Sequence, residues 1–70
     1  MNTRLQNARR AKGLTQEKMA KMLGYPSKSG YSMIETGRKT PLLPVALQIA
    51  KIVGEEVEDL FPNIIFNIFV

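Results

Sequence analysis

Two residue types are missing outright: the 70 residues include no cysteine and no histidine. The chain therefore cannot make a disulfide, a thiolate or imidazole metal site, a Cys or Ser/His nucleophile pair, or a histidine general base. No catalytic residue, metal ligand or small-molecule cofactor is expected, and the chain is read as a binder and not an enzyme. Nor is there a run of about 18 apolar residues, and the N-terminus lacks the apolar core of a signal peptide. The expectation is a cytoplasmic chain with no membrane partner, and the lack of cysteine fits a reducing compartment. At this length one small domain fits, too small for two cores or a large enzyme cleft.

Acidic residues are scarce over most of the chain. Residues 1–51 hold all ten Lys and Arg against only Glu17 and Glu35, a net +8, whereas residues 52–70 hold the other four acids and no base, a net −4. A domain basic over most of its length suits a polyanion partner, although a scattered solubilising surface explains the same composition, and composition alone favours the surface. Apolar residues are plentiful: 44% hydrophobic against 23% charged suits a folded domain. With no staple, stability must come from efficient helix packing.

Helix punctuation recurs along the chain. Asn2, Thr3 and Gln6 offer a start, with Thr3 and Gln6 at capping-box spacing, Leu5 and Ala8 as a thin apolar stripe and Gly13 as the stop. Thr15 is a good N-cap for a second helix. Leu14 can staple onto Met19, while Met19, Ala20, Met22 and Leu23 give a buried face and Gly24 a left-handed stop. Tyr25-Pro26-Ser27 reads as a turn, because Pro26 disfavours a helical Tyr25. A third helix starts at Ser27 or Ser29, buries Tyr31 and Ile34 and ends at Gly37. Gly30 near its start costs up to about 1 kcal/mol relative to Ala if helical.

After the basic loop Arg38-Lys39-Thr40-Pro41, residues 42–53 place Pro44, Gln48 and Lys51 on one narrow solvent stripe of an otherwise apolar helix, which predicts a central position for it. Gly54 ends that helix, and Glu55 to Phe61 can form a short fifth one with its acids at the favourable end of the dipole. Short connections and no alternating strand pattern define a compact all-α domain of five helices over residues 1–61. Its second and third helices, joined by a tight Gly-containing turn, place Lys28, Ser29, Ser32 and Met33 on the leading, non-core side of the third. Such a helix fits the DNA major groove, with its N-terminal residues at base edges and its free N–H groups available to phosphate.

Several sequence anchors recur in order over residues 4–61: Leu14-Thr15-Gln16-Glu17, Ala20 and Gly24 four apart, Ser32-Met33-Ile34-Glu35-Thr36-Gly37 with Arg38 and Pro41, and Ala46-Leu47-Gln48-Ile49-Ala50-Lys51 with Asp59-Leu60-Phe61. In these the chain resembles the phage repressor and Cro-like (XRE-type) helix-turn-helix domains, which implies a lambda-repressor-like bundle and a phage- or prophage-type transcription regulator that binds double-stranded DNA. It departs from the family pattern at three places. The stretch from Gly24 to Tyr31 is one residue longer than usual, Lys18 replaces the acid often found at that helical position, and Leu42 replaces a polar cap.

The resemblance implies roles residue by residue. Gln16 matches a phosphate contact at the start of the second helix. Lys28 and Ser29 match base-reading positions if Ser27 is the cap, with Ser32 and Met33 as further readers. Arg38, Lys39 and Thr40 match the backbone-gripping loop, Ser27 is a further phosphate candidate, and Arg10 and Lys12 are outer candidates. Arg9 and Glu35 match a partly buried structural pair tying the first helix to the third. The plain alternative is a solvated side chain for each exposed residue, and a domain-edge packing residue for Met33. Tyr31 reads as core in preference to a stacking platform.

Residues 62–70 form an apolar tail beyond the resemblance. Ile64-Ile65-Phe66-Asn67-Ile68-Phe69-Val70 carries no charge, is too short to span a bilayer as a helix, reaches about 23 Å when extended, and favours a strand. An exposed strand of this kind needs covering. It either folds back on its own helices or pairs with a second copy, which makes Ile64, Ile65, Phe66, Ile68 and Phe69 dimer candidates. Pairing is preferred, because helix-turn-helix proteins commonly bind two half-sites about one helical turn apart as a homodimer. A second functional reading keeps the fold with a different partner, as a protein-interaction module or an antitoxin-type regulator.

Overall fold

Polar side chains cap the first two helices, and a left-handed glycine follows each of the first four. The computed structural model describes residues 1–64, in which the chain forms α1 (Thr3–Ala11), α2 (Gln16–Met22), α3 (Lys28–Glu35), α4 (Leu43–Val53) and α5 (Val57–Leu60). No strand occurs among the described residues. α1 starts on Asn2 and not on Thr3: Asn2 Oδ1 accepts from Leu5 N at 3.1 Å. The same residue donates from Nδ2 to the Leu60 carbonyl and from its backbone N–H to the Glu35 carbonyl, both at 2.8 Å. Asn2 therefore caps α1 and joins it to the ends of α3 and α5. At α2 the expected cap is present, with Thr15 Oγ1 accepting from Lys18 N at 3.0 Å.

The turn between α2 and α3 depends on Gly24. Its φ of +82° lies where a Cβ is strained, and it lets Tyr25 N–H donate to the Ala20 carbonyl at 2.9 Å, satisfying a carbonyl at the end of α2. Gly37, at φ +83°, does the same after α3: the Arg38 and Lys39 N–H groups both donate to the Met33 carbonyl, at 2.9 and 3.1 Å. The basic loop is thereby folded onto the C-terminal end of α3.

Leu5, Met19, Tyr31, Ile34 and Ile49 are fully buried, and Ala20, Ala46 and Ala50 pack among them. Each large apolar side chain contributes about 1.5–3 kcal/mol through burial. α2 packs most extensively on α3, and α1 touches α3, α4 and α5, so the helix-turn-helix is seated on one side of a core completed by α1, α4 and α5.

Four further expectations need correction. Met22 is 43% exposed, leaving Met19, Ala20 and the partly buried Leu23 as the inward face of α2. α4 is less central than its composition predicts: Leu42 just before it is 77% exposed and Leu47 within it 49%, in keeping with the smaller fraction of surface that a small domain buries. α5 is shorter than Glu55–Phe61, since Glu55 lies before it and is drawn to Arg4 at 3.1 Å. Finally, Ile64 does not begin a strand. It lies in a helical turn, its N–H donating to the Phe61 carbonyl at 3.1 Å, and it is 7% exposed within the core. Ile65, Phe66, Ile68 and Phe69 lie outside the described residues.

Candidate nucleic-acid interface

α3 buries Tyr31, Ile34 and Glu35, and the periodicity of the helix turns other residues outward. Lys28, Ser29 and Met33 are exposed, and Ser32 is half-buried beside them. Ser27 is the N-cap by position, yet its hydroxyl does not cap the backbone of α3. It hydrogen-bonds the Ser29 hydroxyl at 2.8 Å, so the two serines form one small polar group beside Lys28. Thr36 Oγ1 donates back to the Ser32 carbonyl at 3.0 Å at the other end of the helix.

A buried ion pair fixes that other end. Arg9 Nε donates to Glu35 Oε2 at 2.8 Å, one Arg9 terminal nitrogen to Glu35 Oε1 at 2.9 Å, and the other to the Leu14 carbonyl at 2.7 Å. Such a two-point contact has the fixed geometry of a guanidinium on a carboxylate. Gln16 Nε2 adds a bond to Glu35 Oε1 at 3.1 Å. Burial pushes the Glu35 carboxyl up, but the bonds from Arg9, then the nearby Tyr31 hydroxyl and the Gln16 amide, outweigh it and hold the carboxyl below its usual range. The Arg9 guanidinium is held above its own usual range by the bond to Glu35, which outweighs burial. Tyr31 Oη is buried near the same carboxylate without a hydrogen-bond partner among the described residues. Burial, then the neighbouring Glu35, hold this phenol well above its ordinary range.

Gln16, half-buried at the start of α2, is thus held at the C-terminal end of α3, while Lys28, Ser27 and Ser29 stand at its N-terminal end. The eight residues of α3 span about 11 Å at 1.5 Å per residue, close to the roughly 12 Å width of the major groove. Arg38, Lys39 and Thr40 are exposed in the loop after α3, and Arg10 is exposed on α1 next to the buried Arg9. Lys39 Nζ lies 5.8 Å from the centre of the Tyr25 ring.

A helix-turn-helix family model matches residues 5–60. The chain belongs to the helix-turn-helix family. It is 41% identical over 61 residues to an uncharacterized HTH-type transcriptional regulator of Methanocaldococcus jannaschii, covering 87% of this chain and 91% of that one. It is 36% identical over 61 residues to an uncharacterized HTH-type transcriptional regulator of Archaeoglobus fulgidus, covering 87% and 86%. No solved structure matches at a significant level. No helix of the described residues is long and apolar enough to cross a membrane.

Three features of the structure escape a reading of the sequence. The bond from Gln16 to Glu35 joins residues 19 apart, and nothing in either residue's local pattern names the other. Asn2 reaches α5 across 58 residues. The Tyr25 ring lies against Gly30, where a Cβ would come within 3.0 Å of Tyr25 Cδ1. Only this last feature leaves a local signal: a glycine inside the first turn of a helix invites the question of what packs on it.

Proposed function

We propose that this DNA-binding transcriptional regulator places α3 in the major groove, reads bases with Lys28 and Ser29 backed by Ser32 and Met33, and grips phosphates with Gln16, Ser27, Arg38, Lys39, Thr40 and Arg10. It acts by binding and not by catalysis. The observation that carries the reading is the exposed front of α3, with Lys28 and the two serines at its leading end and Gln16 held at its trailing end. Phosphate contacts at both ends set register on the backbone, and the exposed residues between them meet base edges. Lysine selects guanine O6 and N7, serine discriminates weakly, and the Met33 thioether arm suits a thymine methyl.

The regulator works as a homodimer on two half-sites in the manner of phage repressors, with residues 65–70 supplying the association segment. Ile64 packs within its own chain and drops out of that role. The exposed Leu42 and Leu47 offer further apolar surface to a second copy. Selection from randomised duplex DNA, followed by titration across salt, tests the whole reading. If each protomer neutralises about four phosphates, log K falls with log salt at a slope near −7 for the dimer. A slope near zero overturns it. Lys28→Ala should change the selected bases, whereas Lys39→Ala should weaken all sequences alike. The solution mass of a chain ending at Ile64 tests the association segment: an unchanged dimer removes it.

A further inference from the structure

Tyr25 is a turn residue by its place in the sequence, yet its ring meets both the first turn of α3 and the basic loop that follows that helix. It comes directly after Gly24 in the α2–α3 turn, and its backbone N–H closes the end of α2 on the Ala20 carbonyl. Its ring is seated on the first turn of α3: a Cβ at Gly30 would lie 3.0 Å from Tyr25 Cδ1, 3.1 Å from Cγ and 3.3 Å from Cβ. Glycine at position 30, a poor helix former, therefore makes the room this ring occupies. Lys39 arrives from the far end of α3, where its backbone N–H is bound to the Met33 carbonyl at 3.1 Å, and sets Nζ 5.8 Å from the ring centre. That separation is within the range of a cation–π interaction.

Building on the reading of Lys39 as a phosphate grip, we propose that Tyr25 is a positioning residue for DNA binding: its ring, seated on Gly30, holds the Lys39 ammonium near the first turn of α3, so that the loop cation and the reading end of the helix present themselves as one rigid unit. A lysine on an exposed loop normally loses rotamer freedom when it takes a phosphate. One already held over a ring has given up part of that freedom before binding, and preorganisation of this kind raises affinity without adding a contact. The packing of the Tyr25 ring on Gly30 links the α2–α3 turn to α3.

The test is a double-mutant cycle read by fluorescence anisotropy, using the full chain and a labelled mixed-sequence duplex of about three helical turns at several salt concentrations. The proteins are wild type, Tyr25→Phe, Tyr25→Leu, Lys39→Met and Tyr25→Leu/Lys39→Met, with thermal melts to confirm that each is folded. Tyr25→Leu should weaken binding by about two- to five-fold, the weight of one exposed cation–π contact. Lys39→Met should then cost less affinity in the Tyr25→Leu background than in wild type. Tyr25→Phe, which keeps the ring, should bind like wild type. Gly30→Ala pushes the ring without deleting it and should follow Tyr25→Leu, giving a second route if the leucine variant does not fold. Losses that simply multiply across the cycle overturn the proposal, as does a Tyr25→Phe loss equal to that of Tyr25→Leu. Failure of the wild type to bind the duplex in a salt-dependent way overturns the interface reading itself, and this proposal with it.

Discussion

Removing Arg9 should cost the protein a large share of its stability, and removing both members of its pair should restore most of it. Arg9 and Glu35 are 6% and 0% exposed and joined by two short bonds at 2.8 and 2.9 Å. Arg9→Met leaves a buried carboxylate whose remaining hydrogen-bond donor, among the described residues, is the Gln16 amide. Breaking one side of a buried pair costs about 3–5 kcal/mol, and the Leu14 carbonyl loses its 2.7 Å donor as well. A domain of this length has a total stability on the order of 4–10 kcal/mol. At roughly 4–8 °C per kcal/mol, the melting temperature should fall by at least about 12 °C. Replacing both charges with apolar residues of similar volume is often neutral or stabilising, so Arg9→Met/Glu35→Leu should recover most of the loss. Urea unfolding followed by circular dichroism provides the measurement, with the m-value as the check that the native state is unchanged. A single-mutant loss below about 1 kcal/mol, or a double mutant no more stable than the single, refutes the claim that the buried charge dominates this site.

The pair also sets an acid limb. Glu35 is held below its ordinary value of 4.5, so the unfolded chain binds more protons there. Its contribution is fully present above that ordinary value and is lost as pH falls through the lower folded one. Melting temperature should decline below about pH 4.5 in wild type and decline less in Arg9→Met/Glu35→Leu; parallel curves contradict the assignment. Asn2→Ala removes the α1 cap, worth about 0.5–2 kcal/mol, and the bond to Leu60, worth about 0.5–1.5 kcal/mol. Chemical denaturation should show a combined loss of about 1–3.5 kcal/mol, whereas Thr3→Ala should cost less. Tyr31→Phe deletes a buried hydroxyl that has no partner among the described residues and should leave the melting temperature unchanged or higher; a loss above about 1 kcal/mol would mean that Oη donates to Glu35 in solution.

The helix-turn-helix was legible because it is written in local signals. Thr15, Gly24 and Gly37 each act within a few residues of their own position, and the inward spacing of Met19, Ala20, Tyr31 and Ile34 identifies the faces they bury. Asn2 shows the limit. The asparagine and the threonine beside it are both good caps, and what selects Asn2 is a carbonyl 58 residues away. The central place expected for α4 failed for a related reason: an apolar pattern says which sides of a helix avoid water, but not whether enough chain exists to cover them, and here Leu42 and Leu47 stay outside. At the interface the residue types could be read and their commitments could not. Gln16 reads as an available amide at a helix start, yet one of its donors is spent on Glu35.

In the proposed binding mode, that commitment lets one residue serve the core and the DNA-facing surface together. An amide has two N–H donors, so Gln16 can remain tethered to Glu35 and still donate its second N–H elsewhere. A bare carboxylate beside a phosphate would repel it, but the two-point bond from Arg9 neutralises Glu35. The Glu35 backbone carbonyl meanwhile accepts from Asn2, and Asn2 holds Leu60. Two residues before Glu35 on the same helix, the Met33 carbonyl accepts from both Arg38 and Lys39 once Gly37 has turned the chain back. The last turn of α3 is therefore the point at which the ion pair, the α1 cap and the basic loop converge. The bonds that stabilise the bundle are the ones that fix its exposed face, so a substitution that loosens Glu35 should weaken DNA binding and folding together, whereas one at Lys28 should change binding alone.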